Sequence, residues 1–122
     1  YQPQRPSRSE TLHIRGLDYH VRVWGQPQPG QAPLVLLHGW MDTGASYQFM
    51  ADAFSDAFAT QRLIVAPDWR GFGHTTLPWP CDSFHFADYL ADLDLLLDHY
   101  ADTQPVDLVG HSMGGNIAMV YA

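Results

Sequence analysis

Three short apolar runs, each followed by a segment with helical spacing, constrain the fold of this chain more than any other feature. The runs are Leu34–Leu37, Leu63–Ala66 and Val106–Val109. The first two are solidly apolar and the third is interrupted only by Asp107. Apolar runs of this length are typical of strands buried on both faces of a parallel sheet. Strands that alternate with helices make an α/β fold with right-handed crossovers. We therefore expect a parallel sheet with helices on both faces.

The segment Thr11–Trp24 lies before the first run and predicts a β-hairpin, because apolar and polar side chains alternate along it. Gly16–Asp18 supplies the predicted turn. The prolines and glycines of Gly25–Pro33 indicate a loop, and the polar residues 1–9 are expected to be a flexible lead-in.

Helical spacing predicts three helices: Ser46–Phe58 with Ser46 as its N-cap, a second helix whose apolar face begins at Phe86 and ends at Tyr100, and a third from Met113 onward. Between the first two helices, Asp68–Ser83 is rich in glycine and proline and predicts a long loop. Four aspartates of the second helix lie off its apolar face, and we expect them to face water: Asp88, Asp92, Asp94 and Asp98.

The composition excludes several kinds of partner. The formal net charge of the 122 residues is −7, with only 6 Lys plus Arg, which argues against binding to nucleic acid or to anionic membranes. None of the apolar runs, Leu34–Leu37 among them, is long enough to cross a bilayer. A single cysteine, Cys81, fits a reducing compartment, so we expect a cytoplasmic protein. We expect its partner to be a small-molecule substrate. The sequence does not indicate its oligomeric state.

The motif Gly-His-Ser-Met-Gly-Gly at Gly110–Gly115 carries the strongest chemical signal. It follows a predicted buried strand and leads directly into a predicted helix, which is the setting of a nucleophile elbow. Ser112 is the predicted nucleophile, held on a sharp turn with a strained backbone. Gly110 and Gly114 are expected to prevent collisions with the neighbouring strand and helix, and the side chain of His111 should point away from Ser112.

A second motif, His38-Gly39-Trp40, ends the first buried strand. In an elbow architecture the oxyanion is held by the amide after the nucleophile, here that of Met113, and by an amide of the loop after this earlier strand. We assign the second amide to Trp40, with Gly39 allowing the turn. His38 is expected to tie down the loop, because the general base should come from another element.

Together with the block at Asp68–Thr75, which reads Asp-Trp-Arg-Gly-Phe-Gly-His-Thr, these motifs make Thr11–Ala122 resemble the α/β-hydrolase superfamily. The block usually closes with serine, where this chain has Thr75. The resemblance implies an α/β-hydrolase fold and, because position 112 is Ser rather than Asp, acyl transfer through a covalent intermediate. It implies no catalytic role for Asp68 or Arg70, which we expect to pair with each other or to cap the loop.

The remaining groups of a catalytic triad are absent from this sequence, since no His, Asp or Glu follows Ser112. In this architecture the acid and then the histidine come after the serine. We therefore expect residues 1–122 to be the N-terminal portion of a single α/β-hydrolase domain, truncated after the elbow helix, with the lid, acid and histidine outside it. By itself this portion is expected to be inactive and poorly stable, with Val106–Val109 as an open sheet edge.

The functional hypothesis is a serine hydrolase that cleaves an ester or a similar carbonyl substrate through an acyl-enzyme on Ser112. It needs no cofactor and no metal. The sequence leaves two alternatives open: a non-catalytic binding protein of the same fold, and a cofactor-free haloperoxidase or perhydrolase activity of the same triad. We expect the substrate to carry an apolar acyl or alcohol group, because the neighbours available near the predicted site are Trp40, Met41, Phe72 and Met113.

Overall fold

The computed structural model describes residues 1–75 and 85–122, so Cys81 and the second half of the predicted loop Asp68–Ser83 lie outside the described residues. The strands are β1 Arg8–Ile14, β2 Leu17–Trp24, β3 Leu34–Leu37, β4 Ile64–Pro67 and β5 Asp107–Gly110. The α-helices are α1 Gln48–Ala53, α2 Asp56–Thr60, α3 Phe86–Ala101 and α4 Met113–Tyr121.

The described strands form one mixed sheet in the order β1-β2-β4-β3-β5. The hairpin strands are antiparallel to each other, and β2 is antiparallel to β4. β3 runs parallel to both β4 and β5. The predicted hairpin followed by parallel strand–helix units is confirmed, with each parallel strand within a residue of its predicted position.

Alternate residues of the sheet enter two separate cores, one on each face. Val35, Leu37 and Val65 pack on one face against residues of α3 and α4. Leu34, Leu36 and Ile64 pack on the other face against residues of α1 and α2. Because the parallel strands are covered on both sides, every residue of β3 and β4 is buried, as their unbroken apolar sequences predict.

The hairpin turn differs from the prediction. Its two central residues are Arg15 and Gly16, with φ of 51° and 79°, and Leu17 already begins β2 as a buried core residue. Positive φ at both central positions matches the right-handed twist of the two strands, which favours this kind of two-residue loop. The prediction placed the turn on Gly16–Asp18 because Leu17 was not recognised as part of the alternating strand.

The first predicted helix is interrupted. Gly44–Tyr47 forms a 3₁₀ turn, followed by α1 and then by α2, which are separated where Phe54 and Ser55 take extended backbone angles. The side chain of Ser55 accepts a hydrogen bond from the Phe58 amide and caps α2. Ser46 lies inside the 3₁₀ turn and is not the N-cap that its sequence position suggested.

The water-facing interpretation of the α3 aspartates is correct for Asp94 and Asp98, which are exposed. It is wrong for Asp92, which is fully buried, and Asp88 is half-buried. A helical pattern does not show which partners approach a side chain from elsewhere in the chain, and here arginines approach both Asp88 and Asp92.

The outer strands are partly exposed. The open edge expected at Val106–Val109 is confirmed, since β5 is the last strand of the described sheet and Val109 is 38% exposed. At the other end of the sheet, β1 begins at Arg8, inside the segment expected to be a flexible lead-in. Ahead of it, the Arg5 guanidinium donates hydrogen bonds to the carbonyls of Ala51 and Phe54. In the described parts of the chain, no helix combines the length and the apolar character needed to cross a bilayer.

Candidate active site

Ser112 occupies the sharp junction between β5 and α4. β5 ends at Gly110 and α4 begins at Met113. Ser112 has φ 54° and ψ −117°, a combination that residues other than glycine rarely adopt and that persists only where the surrounding structure imposes it. The backbone is therefore strained at the residue predicted to be the nucleophile.

Two glycines allow the close approach that this junction requires. A Cβ on Gly110 would overlap the carbonyl of Gly114, and a Cβ on Gly114 would overlap the carbonyls of Leu37 and His38. The start of α4 thus packs directly on the end of β5 and on the end of β3. Gly115 is less constrained, since its Cβ would lie 3.2 Å from the Gly110 carbonyl oxygen.

The Ser112 side chain is exposed and makes no hydrogen bond to any of the described residues. Met113 is the first residue of α4, so its N–H has no acceptor within the helix and lies at the positive end of the helix dipole. The loop after β3 lies against the serine, because a Cβ on Gly39 would be 3.1 Å from the Ser112 Cβ. The structure therefore brings the His38-Gly39-Trp40 motif and the elbow together.

His38 is fully buried and both of its ring nitrogens have backbone partners. Nδ1 donates to the Gly39 carbonyl at 2.7 Å, and Nε2 accepts from the Trp69 amide at 2.9 Å. Burial lowers the pKa of His38 below its ordinary value, against the raising effects of the Gly39 carbonyl, Asp68 and Asp42. A neutral imidazole with both nitrogens engaged joins this loop to the one after β4.

His111 joins the elbow to β3 through its backbone. Its N–H donates to the Leu37 carbonyl at 3.0 Å, and its own carbonyl accepts from the Gly114 amide at 3.0 Å. The imidazole is exposed, and within the described part of the chain it has no hydrogen bond to Ser112.

Aromatic rings of the loops after β3 and β4 pack on one another. Trp40 is 60% exposed, and its ring meets that of Phe72 edge-on at 5.0 Å between centroids. The Phe72 ring also lies edge-on to the His38 imidazole, at 5.9 Å. The exposed indole therefore rests on a partly buried ring that is packed against the buried histidine.

Asp68 and Arg70 do not pair with each other. The buried Asp68 carboxylate accepts hydrogen bonds from the amides of Gly44 and His74 at 2.7 and 2.9 Å, which is the expected loop capping. The Arg70 guanidinium instead donates to both carboxylate oxygens of Asp92, at 2.7 and 2.8 Å. Of the two expected alternatives, Asp68 caps the loop, and mutual pairing is not found because the buried Asp92 of α3 is the partner of Arg70.

Sequence reasoning missed the cluster around Asp92. Arg15 donates to this carboxylate at 3.1 Å and the Tyr19 hydroxyl donates to it at 2.6 Å. The hydrogen bond to Asp92 raises the pKa of Arg70, and burial, followed by the charge of Asp92, raises the pKa of Tyr19. These residues lie far apart in the chain, so no local pattern signals the cluster. The cluster connects the hairpin and the loop after β4 to α3.

The site can be compared with known proteins. The family model described as alpha/beta hydrolase fold matches residues 32–122. A non-heme chloroperoxidase of Kitasatospora aureofaciens is 39% identical over 82% of this chain and 33% of its own length. A proline iminopeptidase of Lactiplantibacillus plantarum is 34% identical over 90% of this chain and 37% of its own length. The chain thus spans about a third of these relatives.

A solved structure extends the match to three dimensions. The thioesterase domain from the curacin biosynthetic pathway superposes with a TM-score of 0.79 at 28% identity, over 94% of this chain and 40% of that domain. Three observations indicate the same fold: the sheet order, the strained serine between β5 and α4, and the family match over residues 32–122. This chain belongs to the α/β-hydrolase fold family.

Proposed function

We propose that this chain supplies the nucleophile and the oxyanion site of a serine hydrolase that cleaves an ester or a similar carbonyl substrate. One observation carries the proposal: exposed Ser112 lies on strained backbone at the start of a helix, and its hydroxyl has no hydrogen bond to residues 1–75 or 85–122. Structural serines in turns usually spend their hydroxyl on a local backbone hydrogen bond. A costly backbone conformation that leaves the hydroxyl free favours a reactive role.

In the proposed reaction the Ser112 oxygen attacks the substrate carbonyl, and its proton passes to a histidine outside these 122 residues. The amides of Trp40 and Met113 donate to the oxyanion. Collapse of the tetrahedral intermediate expels the leaving group and forms an acyl-enzyme, which water hydrolyses in a second cycle. His38 and His111 are not assigned as the base: both ring nitrogens of His38 are engaged, and His111 lies next to Ser112 on the turn.

The substrate group nearest the loop after β3 is proposed to be apolar. The exposed indole of Trp40 packs edge-on to the partly buried ring of Phe72, and Trp40 follows Gly39, the residue that lies against Ser112. Contact with these rings favours an alkyl or aryl group on the acyl or alcohol side of the ester. The acid, the histidine and the remaining pocket wall are proposed to lie outside this chain.

The test uses a fluorophosphonate on the full-length protein, with the labelled peptide identified by mass spectrometry. We expect label on Ser112 and none at that position in Ser112→Ala, with ester hydrolysis reduced at least about 1,000-fold because the nucleophile is lost. Ser46→Ala, which removes another exposed serine, should keep both. A wild-type protein that binds esters but takes no label at Ser112 would favour the non-catalytic binding protein instead.

A second candidate function is a cofactor-free haloperoxidase or perhydrolase activity, favoured by the 39% identity to a relative named as a non-heme chloroperoxidase. In that reaction hydrogen peroxide replaces water at the acyl-enzyme and releases a peracid, which oxidises halide. The assay is halide oxidation that requires both peroxide and a carboxylic acid. Its disappearance in Ser112→Ala would support this candidate, and its persistence there would exclude it.

A further inference from the structure

A second serine, on the hairpin, is hydrogen-bonded to a histidine that is hydrogen-bonded to a buried aspartate. The Ser9 Oγ lies 2.9 Å from the His20 Nε2, and the His20 Nδ1 lies 2.8 Å from the Asp68 Oδ2. None of these residues belongs to the elbow. We propose that Ser9 is a second reactive serine, activated by His20 and Asp68, that accepts acyl groups from activated esters.

The sheet register brings these three side chains together. Ser9 of β1 lies opposite Arg22 of β2, so His20 is its diagonal neighbour on the same face of the hairpin. The Asp68 amide donates to the His20 carbonyl at 2.9 Å, which aligns the residue after β4 with the same point of β2. The three residues therefore meet through strand pairing.

When the His20 imidazole is neutral, its hydrogen bonds determine which ring nitrogen can take the proton of Ser9. Two backbone amides donate to the Asp68 carboxylate, one to each oxygen. An ionised carboxylate only accepts, so the His20 Nδ1 must donate to it. The His20 Nε2 is then an acceptor, and the Ser9 hydroxyl donates to it. This is the order of donors and acceptors by which a histidine activates a serine.

Burial places the reactive end of this chain of residues at the surface. Asp68 and His20 are buried, whereas Ser9 is exposed. His20 is also held by its backbone, because its N–H donates to the Thr75 Oγ1 at 3.1 Å, while the Thr75 hydroxyl donates to the Asp68 carbonyl at 2.6 Å. The base is thus rigid, and an electrophile reaches Ser9 from solvent.

p-Nitrophenyl acetate is an activated ester that can acetylate Ser9. A bond forms between the Ser9 Oγ and the acetyl carbon, and the bond from that carbon to the aryl oxygen breaks. The hydroxyl proton moves to the His20 Nε2 and the aryl oxide leaves. His20 then returns the proton to solvent, and acetylated Ser9 remains.

The experiment treats the protein in the Ser112→Ala background with p-nitrophenyl acetate and follows acetylation by mass spectrometry after tryptic digestion. Arg8 separates Ser9 from Ser7, and the 122 residues contain no lysine to compete for acetate. We expect Ser9 to react about 100-fold faster than Ser7, the lower end of what a positioned base contributes. The rate at Ser9 should fall to that of Ser7 in His20→Gln. Equal rates at the two serines, or no effect of His20→Gln, would overturn the proposal.

A second pair of variants tests the same geometry without altering buried residues. A histidine beside a thiol stabilises the thiolate. Ser9→Cys should therefore react with iodoacetamide about tenfold faster than Thr103→Cys, an exposed position whose hydroxyl has no hydrogen bond to the described residues. A Ser9→Cys thiol that is no more reactive than the Thr103→Cys thiol would contradict the proposal even if His20→Gln failed to fold.

Discussion

The elbow that carries Ser112 and the loop that follows β4 are built in opposite ways. At the elbow, backbone packs on backbone through Gly110 and Gly114, and the exposed serine hydroxyl makes no hydrogen bond to the described residues. The loop after β4 is held by buried carboxylates: Asp68 accepts hydrogen bonds from two backbone amides, and Asp92 of α3 accepts from Arg70. The first region depends on the absence of side chains and the second on their presence.

Under the proposed function, the elbow presents the reactive group and the loop after β4 supports it. A hydroxyl fixed by other hydrogen bonds would be less available to attack a substrate, and the elbow positions Ser112 by backbone geometry. The neighbouring loop can be fully hydrogen-bonded because it supports the site without a free group. His38 belongs to both regions, since it follows β3 and its ring accepts from the Trp69 amide. The following changes should affect the two regions differently.

The largest effect is expected from Gly114→Ala, which attacks the elbow. The added Cβ would overlap the backbone carbonyls of Leu37 and His38. Relieving this overlap requires moving backbone at the end of a buried strand, which destabilises the fold. We expect a loss of about 3 kcal/mol or more in the free energy of unfolding, measured by urea denaturation, together with loss of fluorophosphonate label at Ser112.

Gly115→Ala is the matched control on the next residue, where the added Cβ would lie 3.2 Å from the Gly110 carbonyl oxygen. Its free energy of unfolding should stay within about 1 kcal/mol of the wild-type value. Equal effects of the two substitutions would show that backbone close approach does not distinguish these positions.

Asp92→Asn should have the next largest effect, and it attacks the supporting region. It removes a fully buried negative charge that faces Arg70 and Arg15. Breaking a buried ion pair typically costs about 3 kcal/mol or more, because the remaining charge loses its partner. We expect that loss in urea denaturation. The exposed Asp98→Asn on the same helix should change stability by less than about 0.5 kcal/mol.

The smallest effect concerns pH and the residue shared by the two regions. Burial lowers the pKa of His38 below its ordinary value of 6.5. The unfolded chain therefore takes up the proton first, so the contribution of neutral His38 is complete above about pH 6.5 and is lost as the pH falls toward the folded pKa.

The free energy of unfolding should decrease between about pH 7.5 and about pH 5.5, with a slope from this group of at most about 1.4 kcal/mol per pH unit. His38→Asn should show a shallower decrease over the same range. Parallel pH profiles for the wild type and this variant would exclude His38 as a source of the dependence.

The sequence determined the elements whose signals are local. β3 was predicted at its observed bounds, and β4 and β5 to within one residue, because apolar runs bounded by turn residues specify short buried strands. The junction at which Ser112 joins β5 to α4 was predicted from Gly110 and Gly114, because a side chain at either position would clash with neighbouring backbone. The break between α1 and α2 was missed, since Ser55 can cap a helix or continue one and its sequence does not distinguish the two.

Only the tertiary structure decided which polar side chains are buried and which partners they have. Asp92 and Asp98 look alike in the helical pattern, yet one is buried against Arg70 and the other is exposed. Ser9, His20 and Asp68 likewise come from three separate segments that meet through strand register. Helical and strand periodicities record which face a residue occupies, whereas a hydrogen bond between distant segments depends on how those faces are finally packed.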